Sequence, residues 1–193
     1  YAIVRESERL SRLVDNVLDF SAIERGAKTY ALIPGDLGFT VQAAVEAVET
    51  STELVERNLY IRIGRGLPVV AHDADAIAQC VINLLSNAAK YSDDSKPIRL
   101  SMEREKEGVV IRVTDEGIGI PEEDVQQIFE PFFRGGDASV RRRKGTGIGL
   151  AITFYIVSAH NGAVDVVSSP GEGSTFSLWF PTWIGDFQDR PGA

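Results

Sequence analysis

The chain has 193 residues, 44% of them hydrophobic, with a formal charge of −8 at pH 7 and a single cysteine. That length suits one ordinary domain with an appendage, with apolar side chain enough for a packed core. The acidic balance argues against nucleic-acid binding, which needs surplus Lys and Arg, the lone Cys80 excludes a disulfide framework or a Cys-rich metal site, and no run approaches the roughly 20 apolar residues of a membrane span.

The first element is a long helix over residues 3–25, with Leu10, Leu13, Val14, Val17, Leu18 and Ile23 on one side and Glu6, Glu8, Arg9, Arg12 and Asp15 largely elsewhere. Gly26 follows at the position of a left-handed C-cap. The apolar side of this helix needs cover, from another helix, a second subunit or its own domain. A short strand over 30–33 then meets Pro34 and Gly35, and Leu37, Val41, Ala44, Val45 and Val48 have helical spacing. Two short strands follow, over 59–63 and 69–71. Asp73 is placed to cap a helix reaching Ser92.

Beyond that helix, Ile98, Leu100 and Met102 alternate with Arg99, Ser101 and Glu103, and Val109, Ile111 and Val113 continue the period as a second strand. A helix over 147–160 and strands over 163–168 and 175–180, joined by the turn SPGEG, complete the order, and residues 182–193 read as a loose polar tail. Helices and strands interleave, but adjacent strands lie close enough for hairpins. The pattern therefore predicts a two-layer α/β sandwich over a doubly wound parallel sheet.

Four segments carry candidate chemistry. In QCVINLLSNAAKYS, Gln79, Asn83, Asn87 and Lys90 fall at intervals of four, four and three, so they share one face of an otherwise apolar helix. Their amides either satisfy core backbone or meet a ligand. DEGIGIP sets Asp115 at a strand exit, where a carboxylate can accept from an exocyclic amine and Gly117 and Gly119 admit a flat ring; the alternative is a polar turn. In IFEPFFRGG, Phe129, Phe132 and Phe133 read as a hydrophobic anchor and Arg134 as either a phosphate contact or a solvated cation. KGTGIGLAI leads Gly145, Gly147 and Gly149 into a helix start, an arrangement suited to an anion, with neither the Rossmann nor the Walker spacing. Between the last two segments, 135–144 has the composition of a mobile basic lid, within which Arg141, Arg142 and Arg143 receive no individual roles.

NLLSNAAKYS, DEGIGIP, FEPFFR and GTGIGLAI resemble the N, G1, F and G2 boxes of bacterial sensor histidine kinases, in the family's order, and ESERLSRLVDNVLDFSAIERG resembles the second helix of that family's dimerisation and phosphotransfer domain. The resemblance implies a GHKL (Bergerat) ATP-binding fold with three parts: helix 1–27, catalytic domain 28–181 and tail 182–193. It also implies ATP and Mg²⁺ as ligands. By the same resemblance Asn83 holds Mg²⁺ through its side-chain oxygen, Asn87 and Lys90 contact the nucleotide and its phosphates, and Tyr91 sits beside the adenosine. Asp115 recognises the adenine amine, and Gly117 and Gly119 line the base pocket. Gly145, Thr146, Gly147, Gly149 and Leu150 face the phosphates, with Arg134 steadying the γ-phosphate.

Neither His72 nor His160 has the acidic neighbour and following Pro of the family's acceptor histidine. His160 is expected to be structural and His72 an exposed turn residue; the helix with the acceptor is expected outside this chain. Gln79 stands where related ATPases carry a Glu that activates water, and a neutral amide cannot take that proton. The expected reaction is therefore transfer of the γ-phosphate to an imidazole, with hydrolysis weak. A nucleotide-binding regulatory module or a GHKL-type serine kinase would share most of the motifs. The expected partners are a second copy through the N-terminal helix and a response-regulator receiver domain, with no nucleic acid, no membrane contact by this segment and a cytoplasmic location.

Overall fold

The computed structural model of the chain describes residues 14, 17–49, 57–136 and 145–185. A helix over 17–24 (α1) leads in and closes with the paired bonds of a Schellman cap: the Gly26 N–H donates to the Ile23 carbonyl and the Ala27 N–H to that of Ala22, both at 2.9 Å. Residues 3–13, 15 and 16 of the predicted helix lie outside the described residues. There follow β1 (Ile33–Gly35), α2 (Leu37–Glu49), β2 (Leu59–Ile63), β3 (Val70–His72), α3 (Ala74–Tyr91), β4 (Ile98–Glu105) and β5 (Gly108–Asp115). A short α4 (Glu122–Val125) and a 3-10 turn (Gln127–Phe129) precede α5 (Gly149–Ala159), β6 (Ala163–Ser169) and β7 (Gly173–Pro181).

Five strands form one sheet in the order β2-β4-β5-β7-β6, with β2 parallel to β4 and every other pair antiparallel. Alternation places Ile98, Leu100 and Met102 of β4 on the covered face and Arg99 and Glu103 on the open one. Helix α3 packs between α2 and α5, and its Ile77, Val81, Leu84 and Leu85 share one buried core with Leu100 of β4, Ile111 of β5 and Leu178 and Phe180 of β7. Each such side chain contributes about 1.5–3 kcal/mol by leaving water. The helical layer on one face of a mixed sheet is the predicted two-layer α/β sandwich.

The first strand is displaced from its predicted position at 30–33. A separate antiparallel pair with β3 sets it, matching Ile33 with His72, Pro34 with Ala71 and Gly35 with Val70. Pro34 is tolerated because this two-stranded ribbon has a free edge. Tyr30 instead faces the His160 ring, 5.5 Å between centroids. Just past β7, the Thr182 N–H donates to the Glu107 carbonyl (2.9 Å) and the Trp183 N–H to that of Val69 (2.8 Å), while 186–193 of the predicted tail lie outside the described residues.

Among the described residues, helix α1 docks on the sandwich through the face that carries Phe20. Phe20 is buried in the common core, edge-on to Phe132 at 5.8 Å and tilted to Tyr155 at 6.4 Å. Asp19 accepts from Lys28 Nζ (2.6 Å) and, weakly, from Gln79 Nε2 (3.4 Å). Val14, Val17 and Leu18 point away and remain exposed.

Candidate nucleotide-binding site

Helix α3 starts at Asp73, whose Oδ1 accepts from the Ala76 N–H at 3.1 Å, as the capping rule predicts. Along it Gln79, Asn83, Asn87 and Lys90 are all half-buried, while Cys80, Val81, Leu84, Leu85 and Ala88 between them are buried. The stripe therefore lies at the rim of the core, facing the glycine segments. Asn83 Nδ2 donates to the Gly149 carbonyl (3.3 Å), which also accepts from the Thr153 hydroxyl (3.0 Å). Asn87 follows Asn83 by one turn. Lys90 Nζ donates to Tyr91 Oη (2.8 Å) and lies so close to the next loop that a Cβ on Gly145 would stand 2.5 Å from it.

Asp115 ends β5 and is buried, with Oδ1 accepting from the Gly117 N–H at 2.8 Å. Burial pushes its carboxyl pKa up, against the lowering influence of the Gly117 and Ser174 N–H groups. The loop after it crosses the end of α3: the Ile118 N–H donates to the Tyr91 carbonyl at 3.2 Å. Gly117 is obligatory at this crossing, since a Cβ there would sit 2.4 Å from the Tyr91 oxygen. The turn between β6 and β7 holds the loop from the other side, through the Gly171 N–H to the Ile118 carbonyl (2.8 Å) and the Ile120 N–H to Ser168 Oγ (2.9 Å). Gly119 lies between those two anchors. The sequence of SPGEG marks only a turn; its contact with the loop after Asp115 depends on sheet pairing.

The F and glycine segments meet backbone to backbone. Phe132 adopts a φ of 65° and its N–H donates to the Gly147 carbonyl at 3.0 Å. Gly147 itself has a φ of 74° and so little room that a Cβ would come within 2.6 Å of the Phe133 carbonyl. The three phenylalanines are not one anchor: Phe129 packs against the core, whereas Phe132 is 61% exposed, its backbone turning the ring out toward Phe20. Arg134 is half-buried just after this junction. Thr146 is half-buried in the glycine loop, and Leu150 packs on the core from the first turn of α5. The N-cap of that helix, Ile148, makes no side-chain cap hydrogen bond, and a helix start of this kind suits an anion. Arg141, Arg142 and Arg143 lie outside the described residues.

The two histidines are both buried. His160 donates through Nδ1 to the Ile156 carbonyl (2.7 Å) and accepts at Nε2 from the Asp73 N–H (3.0 Å), tying the end of α5 to the start of α3. Burial holds its pKa below the ordinary value, over the raising influence of the Ile156 carbonyl and the Asp73 carboxylate. His72 is not the exposed turn residue its sequence context predicts. It is 6% exposed in β3, donating from Nδ1 to the Val70 carbonyl (2.9 Å) and accepting at Nε2 from the Thr40 hydroxyl (2.8 Å) on α2.

A half-buried amide and ammonium stripe, a buried carboxylate at a strand exit and a glycine loop opening a helix define a nucleotide-binding α/β sandwich domain. The histidine kinase-, DNA gyrase B- and HSP90-like ATPase family matches residues 72–184, and the chain belongs to it as the ATP-binding catalytic domain of a bacterial sensor histidine kinase. The circadian input-output histidine kinase CikA of Synechococcus elongatus is 34% identical over 98% of this chain and 26% of its own length. The sensor histidine kinase WalK of Bacillus subtilis is 35% identical over 91% and 29%. The chain thus spans under a third of the length of either relative. Among solved structures, the mycobacterial sensor histidine kinase MprB superposes with a TM-score of 0.66 at 26% identity, covering 78% of this chain and 97% of that one. Full-length ShkA in complex with AMPPNP gives 0.77 at 26%, covering 93% and 37%.

Proposed function

We propose that this domain holds Mg-ATP so that the γ-phosphate passes to a histidine on a helix supplied from outside the chain. The observation that carries the reading is the convergence of three separate segments on one stripe: Gly149 on Asn83, Gly145 on Lys90, and the loop after Asp115 on Tyr91. Asp115 accepts from the adenine amine, Gly117 and Gly119 admit the ring and Tyr91 flanks the adenosine. Asn87, Lys90, Gly145, Thr146, Gly147, Gly149 and Leu150 surround the phosphates, and Arg134 steadies the γ-phosphate.

The residues present fit Mg²⁺ as well. Among the described residues no group of three or more His, Cys, Asp or Glu could hold a metal, and Asn83 would be the side chain that holds the ion beside the nucleotide. Asn83 points its amide nitrogen at Gly149 and has a side-chain oxygen of the hard type that Mg²⁺ takes. The metal ion supplies charge neutralisation on the phosphates. The acceptor imidazole attacks the γ-phosphorus through its neutral nitrogen, the bond to the β-bridging oxygen breaks, ADP leaves and the imidazole proton goes to solvent. Positioning and electrostatics suffice for such a transfer. Gln79 is no base for water, and its amide is turned to Asp19.

The exposed Val14, Val17 and Leu18 face supports a homodimer through the N-terminal helix. We divide the chain near residues 27 and 181 accordingly. A receiver domain is the onward acceptor, and the need for ATP puts the domain in the cytoplasm. Among the described residues no helix is long and apolar enough to cross a membrane.

The test is incubation of the chain with γ-labelled Mg-ATP and a polypeptide carrying the first helix of a relative's dimerisation domain. Acid-labile, base-stable label on histidine, lost in Asn83→Ala, is expected. Label on Ser or Thr would sink the assignment in favour of a serine kinase. ATP binding with no label on any supplied helix would favour a regulatory module.

A further inference from the structure

Arg57 stands two residues before β2, remote in sequence from every group assigned above, and its side chain is only 8% exposed. A guanidinium that deep needs acceptors, because a buried unpaired charge is costly. It finds them at the C-terminal end of α3. Nη2 donates to the Ala89 carbonyl and, at 3.4 Å, to the Ser92 carbonyl; Nη1 donates to the Asp93 carbonyl at 2.6 Å and to Ser92 Oγ at 3.3 Å. The exposed Asp94 carboxylate closes the set at 2.7 Å from Nη2.

The last carbonyls of a helix have no partner within it, and a cation suits that end of the dipole. The Ala88 carbonyl is already taken by the Ser92 N–H (3.1 Å) and hydroxyl (2.6 Å). Arg57 takes the next carbonyl and two beyond it, so one planar group fixes where the turn ends and how the chain leaves it. That same turn holds Lys90, against Gly145, and Tyr91, whose carbonyl seats the Ile118 N–H of the loop after Asp115. Arg57 grips one side of a turn whose other side faces the proposed site.

We infer that Arg57 is a positioning residue for nucleotide binding: by locking the last turn of α3 it sets Lys90 against the glycine loop and seats the base loop on Tyr91. The inference rests on the reading of Lys90 as a nucleotide contact. Lys cannot replace Arg here, since an ammonium is a point charge and the acceptors match a rigid fork of five donors.

The experiment measures Mg-ATP affinity by calorimetry and thermal unfolding for the whole chain, Arg57→Met, Arg57→Lys, Lys90→Ala and the double variant Arg57→Met with Lys90→Ala, each well below its own Tm. Arg57→Met should weaken Mg-ATP binding by about fivefold or more, and the double variant should lose less than the product of the two single effects, as coupled residues do. Arg57→Lys should recover Tm more completely than affinity. If Arg57→Met lowers Tm while affinity stays within about twofold, the residue caps the helix and nothing more, and the inference is overturned. Unchanged affinity in Lys90→Ala would defeat the site reading and the inference together. Weakened binding in Lys90→Ala beside unchanged binding in both Arg57 variants defeats the inference alone. Should Arg57→Met fail to fold, Arg57→Lys decides: wild-type affinity overturns the inference.

Discussion

Replacing Asp73 with Ala should cost the fold about 2 kcal/mol, because one carboxylate serves two parts of the chain. Oδ1 caps α3 through the Ala76 N–H at 3.1 Å, and loss of an N-cap costs about 1 kcal/mol. Oδ2 holds the Ala31 N–H at 3.0 Å ahead of β1; this bond is exposed, so water replaces it and the loss is nearer about 0.5 kcal/mol. The negative charge at the positive end of the helix dipole adds about 0.5 kcal/mol. For a chain this long each kcal/mol moves Tm by about 2–4 °C, so Tm should fall by about 4–8 °C. Urea unfolding at pH 7 and a thermal scan measure both quantities. Asp75, in the first turn of the same helix, is the control. It offers only the dipole term, so Asp75→Ala should cost about 0.5 kcal/mol. If Asp73→Ala is no worse than Asp75→Ala, the capping account is wrong.

Four further outcomes concern other parts of the structure. Burial holds the His160 pKa below 6.5, so as pH falls beneath 6.5 the unfolded chain takes a proton that the folded one resists. Stability should be insensitive to His160 above that pH and decline below it, until the folded pKa is passed; urea midpoints should show this decline flattened in His160→Gln, and a decline of unchanged slope would refute it. Asp115→Asn should weaken ATP binding by about 10–100-fold, the loss of a hydrogen bond to a charged group, and erode the preference for adenine over guanine nucleotides. Because burial raises the Asp115 pKa above 3.8, calorimetry should show wild-type affinity falling at a higher pH than an ordinary carboxylate would dictate. Phe20→Ala should free α1 without unfolding the sheet, seen as faster amide exchange across 17–24 with β5 and β7 still protected; uniform loss of protection would contradict this.

What the sequence disclosed was whatever a local period or a local backbone rule determines. Helix α3, its Asp73 cap and the alternation of β4 lie where spacing puts them, because each repeats within a few residues. The glycine segments are legible for a related reason: close approach and positive φ restrict residue type on the spot, as at Gly117 and Gly147. Misreadings arise where a distant segment decides. β1 takes its register from β3, nearly forty residues on, and the buried His72 finds its Nε2 partner in Thr40 of α2. Phe132 looks like its two neighbours until its own φ of 65° turns it out toward Phe20. Arg57 carried no signal at all, since its acceptors lie more than thirty residues away in the chain.

The polar stripe on α3 is where local pattern and distant contact meet. From Gln79 to Lys90 the helix rises about 16 Å, at about 1.5 Å per residue, so the four residues of one face reach quite different surroundings. At the near end Gln79 meets Asp19 on α1, in the middle Asn83 meets the start of α5, and at the far end Lys90 meets the glycine loop. One rigid element therefore connects the docked N-terminal helix with the proposed phosphate site. An acidic side chain at position 79 would face the Asp19 carboxylate, and like charges that close repel. A neutral amide at this position therefore lets α1 dock against the helix face that also presents Asn83 and Lys90.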